Sequence, residues 1–314
     1  MQPDNIHQTH IDISVARLSS YRTMFRGADD YELYGIYCWN EALSSTLFRL
    51  ISITEVVMRN RFHTTLSLHL HNRHSIGRND SNDWYRHIAL LKKSKDKIRS
   101  ETHFYHKGKW SQKRNQPSEN DVVSRMTFGF WPKLLEIDSL PWGELLPQIV
   151  PGHRHITSAY WSILKHQDAL YERMNLVNRT RNRIAHFEPI WKQGNLHEER
   201  RQRSGSPAPA IKYHTPTTPV DVIQRLRLIH DRIAELLRWL SPNRYHDYMT
   251  SYVESHFSWL CSQEGLNAYM QLKPSIEIPM SKFKREMNGL LKCGVMISVS
   301  RKKKPVGTYY PIRR

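Results

Sequence analysis

Apolar residues recur at intervals of three and four through most of the first 190 residues, which is the spacing of amphipathic helices. The longest such stretch, residues 30–71, contains no proline and predicts either one very long helix or two nearly collinear ones. Two more helical stretches are predicted at about residues 83–99 and 153–187, the last ending before Pro189. The apolar positions of the first stretch are Leu33, Ile36, Tyr37, Leu43, Leu47, Leu50, Ile51, Val57 and Phe62.

Turn-forming residues interrupt this pattern between residues 107 and 120. The segment is polar and basic and contains Gly108 and Pro117, which indicates a loop. Ser118 and Asp121 have the spacing of a capping box, so a helix is predicted to begin there and to carry the string M-T-F-G-F-W at residues 126–131. Pro132 either kinks that helix or starts a new one.

Residues 192–219 differ from the rest because they combine glycine, serine, four prolines and the run E-E-R-R-Q-R at 198–203. This composition indicates a surface insertion or a linker. Thr218, Pro219 and Asp221 predict the start of another helix, which Ser241 and Pro242 close. Beyond residue 243 the pattern weakens to one helix near 245–260 and a terminal hairpin whose strands flank the basic residues 301–304.

The charge of the chain is strongly positive, since 47 Lys and Arg minus 29 Asp and Glu gives +18. A polyanion such as RNA is therefore the first candidate partner. Cys38, Cys261 and Cys293 are odd in number and widely spaced, which argues against a disulfide scaffold and fits a reducing cytoplasm. The N-terminus is polar and no apolar run approaches 18 residues, so we expect neither secretion nor a membrane span.

Common catalytic motifs are missing from the sequence: it has no P-loop, dinucleotide fingerprint, H-E-x-x-H or G-x-S-x-G. The densest histidine cluster is H-L-H-N-R-H at residues 69–74, which is either a metal site or a solvated basic turn. No acidic or cysteine ligand lies beside it, which favours the turn. We therefore expect neither a metal nor an organic cofactor.

One segment carries a pattern suited to RNA cleavage: N-R-T-R-N-R-I-A-H-F-E-P-I-W at residues 178–191. Asn182 and His186 are four residues apart and share a helix face, and the long side chain of Arg181 reaches the same groove. A histidine that gives and takes protons beside an arginine suits attack by a ribose 2′-hydroxyl, because the cation stabilises the pentacoordinate phosphate. Such a reaction needs no metal.

Spacing alone leaves a second interpretation open for His186. The chain has 29 Arg and 18 His, which gives about 1.7 chance matches to Arg-x-x-x-x-His, and it contains two. The other match, Arg225 to His230, lies in an ordinary amphipathic helix and lacks the following Asn, so we interpret it as solvated or packed. His186 is then either catalytic or a helix-terminal histidine that complements the helix dipole.

The segment R-N-R-I-A-H-F-E-P-I-W resembles the motif of the Abi-like proteins, a branch of the HEPN superfamily associated with bacterial abortive infection and phage defence. Other stretches resemble the same family in the same order over about residues 12–245: Y-x-x-Y-C-W-N-E-A-L-S at 34–44, I-T-E-V-V-M-R-N-R-F-H at 53–63, M-T-F-G-F-W-P-K-L-L at 126–135 and W-L-S-P at 239–242. Two features depart from the family: Phe187 follows His186 where a second histidine is common, and the insertion at 192–219 is not typical.

The resemblance implies an all-α HEPN-type helical bundle over residues 12–245, with 192–219 as its surface insertion and 246–314 as a basic C-terminal extension. It places the catalytic arginine and histidine at Arg181 and His186, and the accompanying polar residue at Asn182. It also directs Glu55, Arg59 and Asn60 of an earlier helix toward the site. The sequence agrees in part, because Glu55, Arg59 and His63 form a polar stripe on a largely apolar helix, either supporting the site or forming a surface ion pair with a solvated His.

The function expected from pattern and resemblance together is a cytoplasmic, metal-independent endoribonuclease of toxin or antiviral defence type. The alternative is a non-catalytic RNA-binding or scaffold HEPN protein. The resemblance predicts a homodimer, and an antitoxin or an activating phage component is a further candidate partner; no membrane is expected. The aromatic residues Phe128, Phe130 and Trp131 either pack inside the bundle, which we favour, or form the apolar part of the dimer interface. The insertion is predicted to cover the site or to recognise a particular RNA.

Overall fold

The fold is mostly α-helical, which confirms the fold class predicted from the sequence. The structure, a computed structural model, describes residues 3–271, 276–292 and 297–309. The helices of the first 190 residues are α1 (Ile6–Ile13), α2 (Val15–Met24), α3 (Asp30–His74), α4 (Lys92–Thr102), α5 (Glu119–Ser124), α6 (Phe130–Leu134), α7 (Trp142–Ile149), α8 (Ser158–Trp161) and α9 (Leu164–Ala185). Those that follow are α10 (Pro219–Leu240), α11 (Pro242–Met249), α12 (Tyr252–Leu260), α13 (Gln263–Met270) and α14 (Met280–Lys292).

The strands form three small sheets. Two are antiparallel hairpins, and the third has the order β5-β6-β7, with β5 parallel and β7 antiparallel to the central strand. The strands are β1 (His103–His106), β2 (Lys109–Gln112), β3 (Leu196–His197), β4 (Ile211–Tyr213), β5 (Ile276–Pro279), β6 (Ile297–Arg301) and β7 (Lys304–Tyr309).

Helix α3 is a single helix of 45 residues around which the others pack. A capping box formed by Asp29 and Glu32 opens it, and buried side chains recur along its whole length from Leu33 to Leu70. Helices α2, α7, α9, α10, α12 and α13 all contact it. The helix is long because these partners bury successive parts of its surface.

Two predictions before residue 120 are wrong in detail. Residues 83–99 do not form one helix but a 3-10 turn (Trp84–Arg86) and the separate helix α4. The reason is that Trp84 is buried in the core, where its Nε1 donates to His63 Nδ1 at 2.9 Å. Residues 107–120 are not only loop, since β1 and β2 form a hairpin there. Its two-residue turn consists of Lys107 and Gly108, both at positive φ (46° and 79°), as a tight hairpin turn requires.

The helix predicted across the aromatic string ends earlier than expected. The capping box of Ser118 and Asp121 is present, but α5 ends at Ser124 and turns follow before α6. Pro132 lies in the first turn of α6, where a missing N–H costs little, so it starts a new helix. Burial of Met126 and Phe128 fixes the turns between the two helices.

Residues 153–187 form two helices instead of one. Thr157 caps the short α8, and α9 begins at Leu164. The predicted start of α10 is confirmed, with Pro219 at its first position and a capping box of Thr218 and Asp221. Ser241 then serves both as the end of α10 and as the N-cap of α11.

Residues after 245 fall into two groups. Helices α11 and α12 occupy the region near 245–260 where one helix was predicted, and α13 follows where none was. Tyr248, Phe257, Trp259 and Leu266 of these helices pack into the same core as α3 and α10. The strand–helix–strand–strand unit of residues 276–309 has a separate core of Ile278, Leu290, Ile297 and Val299. The predicted terminal hairpin is confirmed as β6 and β7, although residues 295, 296 and 310–312 of that prediction, and Cys293, lie outside the described residues.

Candidate functional site

Helix α9 ends in a Schellman motif at the predicted RNA-cleaving segment. The backbone N–H of Phe187 donates to the Ile184 carbonyl at 3.0 Å, and the N–H of Glu188 donates to the Arg183 carbonyl at 2.9 Å. His186 is the C-cap residue itself, one position beyond the last helical residue. The helix therefore stops by this local motif three residues before Pro189.

Phe187 has a left-handed backbone, with φ of 55°. This position of a Schellman motif usually holds glycine, and a side chain there costs about 1 to 2 kcal/mol. Contacts from elsewhere hold it in place: Arg17 Nη1 of α2 donates to the Phe187 carbonyl, and Arg183 forms an ion pair with Glu188 at 2.8 Å. The Phe187 ring is 70 % exposed, so packing of the ring does not explain the strained backbone.

The three predicted catalytic residues lie together at this end of α9. Asn182 and His186 are exposed, and Arg181 is half-buried. Arg181 Nη1 approaches Asn182 Oδ1 at 3.5 Å, and the His186 backbone N–H donates to the Asn182 carbonyl at 3.0 Å. Within the described residues the His186 imidazole has no hydrogen-bond partner.

Arg181 differs from its two neighbouring arginines. Arg179 pairs with Glu172 at 3.5 Å and Arg183 pairs with Glu188, whereas Arg181 has no carboxylate partner among the residues that the structure describes. Its Nε is buried and also lacks a hydrogen-bond partner there. A buried donor without a partner is uncommon, so a group outside this chain is a reasonable source of the missing acceptor.

Glu55, Arg59 and Asn60 lie midway along α3. Glu55 Oε1 and Arg59 Nη2 form an ion pair at 3.3 Å with about one fifth of each side chain exposed, and Asn60 is exposed. Arg59 Nε is buried without a partner. No described hydrogen bond or ion pair joins these residues to those of α9, so their supporting role stays a prediction.

His63, which continues the same stripe, is neither solvated nor part of the site. It is buried, its Nδ1 accepts from Trp84 Nε1 at 2.9 Å, and its Nε2 lies 3.0 Å from Ser81 Oγ. Since Nδ1 is an acceptor, the ring is neutral and Nε2 carries the proton. Burial lowers the pKa of His63, which agrees with a neutral ring fixed in the core.

The second Arg-x-x-x-x-His match, Arg225 to His230, is packed in the protein interior. This is one of the two interpretations, solvated or packed, that the sequence left open. Arg225 donates to the Gly194 carbonyl at 2.8 Å and also to the His214 carbonyl, and His230 Nε2 lies 2.9 Å from Tyr248 Oη. Both side chains are buried. The same spacing therefore gives a buried structural pair in α10, and a half-buried arginine with an exposed histidine at the end of α9.

The aromatic string packs inside the bundle, as favoured from the sequence. Phe128, Phe130 and Trp131 are all buried. Gly129 of this string lies against α9, where a Cβ on residue 129 would come within 3.2 Å of Asn178 Nδ2. The string therefore helps to position the helix that carries the candidate site.

The middle of the insertion at 192–219 is held on the first half of α9 by ion pairs, whereas its start reaches the second half, where Gln193 Nε2 donates to Thr180 Oγ1 at 2.9 Å. Glu199, Arg201 and Arg203 alternate along an extended segment, and each forms an ion pair with the helical core. Their partners are Arg173 at 2.6 Å, Glu136 at 3.1 Å and Asp168 at 2.7 Å. Arg173 and Asp168 precede His186 by three turns of helix or more, so these contacts do not place the insertion over the site.

The approach of α2 to the site was not foreseen, because no local pattern links residues 170 positions apart. Arg17 donates to the Phe187 carbonyl, and Asn40 Oδ1 of α3 accepts from the Ile190 N–H at 3.1 Å. These two contacts fix the chain within the Schellman motif and just after it. Within the described residues no cluster of three or more metal-ligating side chains occurs, and no helix is long and apolar enough to cross a membrane.

The site thus presents an unpaired arginine, an amide and a free imidazole at the end of a helix held by α2, α3 and the aromatic string. A family model described as Abi-like protein matches residues 11–192, which is more than half of the chain and includes this site. The chain belongs to the Abi-like protein family, and that membership connects it with abortive infection. No curated protein and no solved structure matches the chain.

Proposed function

We propose that this protein is a metal-independent endoribonuclease of the HEPN type, acting in abortive infection as a toxin. Arg181 binds the scissile phosphate, His186 transfers protons, and Asn182 orients the phosphate or the arginine. The observation that carries the proposal is two groups at one helix end: the His186 imidazole, which is exposed and has no described hydrogen-bond partner, and the Arg181 guanidinium. Arg181 contacts Asn182 Oδ1 but has no described carboxylate partner, and its buried Nε makes no hydrogen bond. Elsewhere in the described chain the equivalent Arg225 and His230 are buried and bonded.

The reaction that suits these groups is transfer of the phosphate within the RNA strand. Neutral His186 takes the proton of the ribose 2′-hydroxyl, whose oxygen attacks the adjacent phosphorus while the bond to the 5′-oxygen breaks. The imidazolium then returns its proton to that departing oxygen, which yields a 2′,3′-cyclic phosphate and a 5′-hydroxyl. Arg181 stabilises the extra negative charge of the pentacoordinate phosphorus.

The test is cleavage of a mixed RNA pool by purified protein in excess chelator. We expect wild type to cleave and His186→Ala and Arg181→Ala to lose at least 100-fold in rate, as removal of a general acid–base group does. His74→Ala is the matched control, because His74 is another exposed histidine at a helix end. Loss of wild-type cleavage in chelator, or wild-type rate in His186→Ala, contradicts the proposal.

The working unit in this proposal is a homodimer in which two copies of the α9 end form one cleft. Two features favour it: Phe187 is a largely exposed aromatic beside His186, and Phe48 and Val56 of α3 are exposed as well. A second copy provides apolar cover for such residues and a second cation for the phosphate. Mixing inactive His186→Ala with inactive Arg181→Ala distinguishes the arrangements, because recovered activity means that a site takes its Arg and His from different chains.

RNA binding is favoured by the basic turn of the C-terminal unit. Lys302 and Lys303 form the two-residue turn between β6 and β7, both at positive φ (50° and 61°) and both exposed. Replacing them by Asn and Gly keeps the turn type and removes two charges. We expect this double variant to bind RNA more weakly and to flatten the salt dependence by about 0.7 for each lost phosphate contact.

The second candidate function is RNA binding without cleavage, and the net charge of +18 is the observation that favours it. Measuring RNA binding and RNA cleavage on the same variants distinguishes the two functions. A binding protein keeps its salt-dependent affinity and shows no cleavage in any variant, whereas the nuclease keeps its affinity in His186→Ala and loses only the cleavage.

A further inference from the structure

A cleft of about 440 Å³ lies beside the end of α9, between α2, residues 191–192 and residues 215–217. This volume falls within the roughly 300 to 1,000 Å³ of small-molecule sites. Lys192 Nζ donates to Ser20 Oγ across the cleft at 2.9 Å. Ser20 lies about one helical turn, or 5 Å, along α2 from Arg17, whose guanidinium contacts the Phe187 carbonyl.

The lower wall of the cleft is apolar and fixed. Met24, Trp191 and Pro216 line it. The Trp191 ring is fully buried and packs edge-on against Tyr21 at 5.1 Å and Phe25 at 5.7 Å between ring centres. The half-buried Met24 is the part of this wall that a ligand can reach, and its flexible thioether adapts to the face of a flat ring.

The rim of the cleft carries hydroxyl groups in a defined hydrogen-bonding state. Four of them already donate their proton, to Ala16 O, Ser19 O, Asn195 Oδ1 and Asp221 Oδ2, and so offer acceptor positions only. The four are those of Ser19, Thr23, Thr215 and Thr217. Ser20 accepts from Lys192 and keeps its own proton to donate. Mixed acceptors and donors above an apolar wall match the edge of a nucleobase.

Two cations complete the rim. Arg26 and Lys192 are exposed, and neither has a carboxylate within ion-pair distance among the residues that the structure describes. The carboxylate at this cleft is Asp221, which is occupied by the hydroxyl and N–H of Thr217 and by the N–H of Thr218. The net positive charge favours a ligand that carries a phosphate.

We propose that this cleft binds one nucleotide of the RNA strand whose scissile phosphate lies at Arg181 and His186. The base rests on Met24, its polar edge meets the rim hydroxyls, and its phosphate meets Lys192 or Arg26. The strand assignment rests on the proposed nuclease function, whereas binding of a nucleoside phosphate by the cleft does not. The cleft is thus the position that selects the residue next to the cleavage point.

The test measures binding of a 2′-O-methylated oligonucleotide, which 2′-hydroxyl attack does not cleave, by fluorescence anisotropy. The cleft variant is Arg26→Ala with Lys192→Ala, and the matched control is Arg154→Ala with Lys165→Ala, which removes the same charge from exposed residues elsewhere. We expect the cleft variant to bind about tenfold more weakly than the control. Its KM for RNA cleavage rises by a similar factor while kcat stays within about twofold.

Thr23→Phe fills the cleft without changing the charge, and we expect a comparable loss of affinity. Equal affinity in the cleft and control variants overturns the proposal, since net charge then explains the binding. A different result would overturn only the strand assignment: a nucleoside monophosphate binds and needs Lys192, but the oligonucleotide binds the cleft and control variants equally. The cleft would then bind a free nucleotide.

Failure of the nuclease proposal is distinguishable from failure of this inference. If His186→Ala cleaves like wild type but the cleft variant still loses oligonucleotide affinity, the nucleotide site stands and the catalytic assignment falls. If cleavage depends on His186 but the cleft variant binds the oligonucleotide like its control, the catalytic assignment stands and the nucleotide site falls.

Discussion

The two halves of α9 carry similar polar residues and use them differently. In the first half, Asp168 and Arg173 are buried and every charged atom of these two side chains meets a partner from the insertion or from α10. In the second half, His186 faces solvent and Arg181 lacks a described carboxylate partner. Polarity along one helix therefore does not distinguish side chains that are bonded within the fold from side chains that are free to bind a ligand; their contacts do.

The side chains that pair with the first half of α9 come from the insertion and from α10. Arg173 donates two bonds to Glu199, at 2.6 and 2.9 Å, and one to Glu235 at 2.7 Å, and it stacks on Trp239. Burial opposes the charged form, yet the two carboxylates outweigh it, so the pKa of Arg173 is raised. Such a residue stabilises the fold and is not available to a substrate.

The largest expected effect is on catalysis at the second half. Arg181→Lys should reduce RNA cleavage at least 100-fold, because a single ammonium does not replace a bidentate guanidinium on phosphate oxygens. Arg179→Lys, an exposed arginine on the same helix, should cleave at the wild-type rate. Initial rates on a fluorescent RNA measure both, and cleavage by Arg181→Lys at the rate of the Arg179 variant counts against the assignment.

The next effect is on stability at the first half. Arg173→Ala leaves Glu199 and Glu235 without their shared cation and should lower the free energy of unfolding by about 3 kcal/mol. Arg179→Ala, whose ion pair is long and half-exposed, should change it by about 0.5 kcal/mol or less. Urea unfolding gives both values. Equal losses of unfolding free energy in the two variants would mean that burial of the Arg173 ion pairs adds nothing to stability.

A pH-dependent effect sharpens the contrast between the buried His63 and the exposed His186. Burial keeps the folded-state pKa of His63 below the unfolded value of about 6.5, so the unfolded chain binds this proton more readily. His63 therefore gives its full stability above about pH 6.5 and loses it as the pH falls below that value. His63→Gln should be about 1 to 3 kcal/mol less stable at pH 7.5, because Trp84 Nε1 loses its acceptor.

The measurement is thermal unfolding of wild type and His63→Gln between pH 7.5 and 5.5. The difference in Tm between wild type and His63→Gln should become smaller as the pH falls, because only wild type has the His63 imidazole that takes up a proton on unfolding. His186→Ala serves as the exposed-histidine control. A gap that stays constant with pH shows that His63 does not titrate differently in the two states.

The smallest effect concerns the strained residue at the boundary of the second half. Phe187→Gly should be about 1 kcal/mol more stable than Phe187→Ala, because both remove the exposed ring and only glycine relieves the left-handed backbone. This corresponds to about 2 °C or less in Tm. Identical Tm values for the two variants would show that the backbone at 187 is not strained.

Sequence patterns predicted the parts of this protein that local chemistry determines. The capping boxes at Ser118 and Thr218, the proline start of α10 and the long α3 are all present. The interruption between Arg86 and Lys92 and the end of α5 at Ser124 were missed, because burial of Trp84 and Phe128 against distant helices decides them.

The candidate site shows the same limit. Arg181, Asn182 and His186 are neighbours in sequence, so spacing alone brought them together. The pairing of Arg203 with Asp168 and the contact of Arg17 with Phe187 join residues far apart along the chain, and no local pattern encodes them. Periodicity likewise placed His63 on a polar stripe but did not show that the buried Trp84 and the half-buried Ser81 contact its two ring nitrogens.

The close approach of Gly129 to Asn178 has a genetic consequence. A Cβ at residue 129 would come within 3.2 Å of the Asn178 amide, which lies three residues before Arg181 and eight before His186 on the helix. If expression arrests growth, spontaneous survivors should include substitutions at this glycine as well as at Arg181 and His186. Such survivors would identify a position that inactivates the protein while every candidate catalytic side chain is still present.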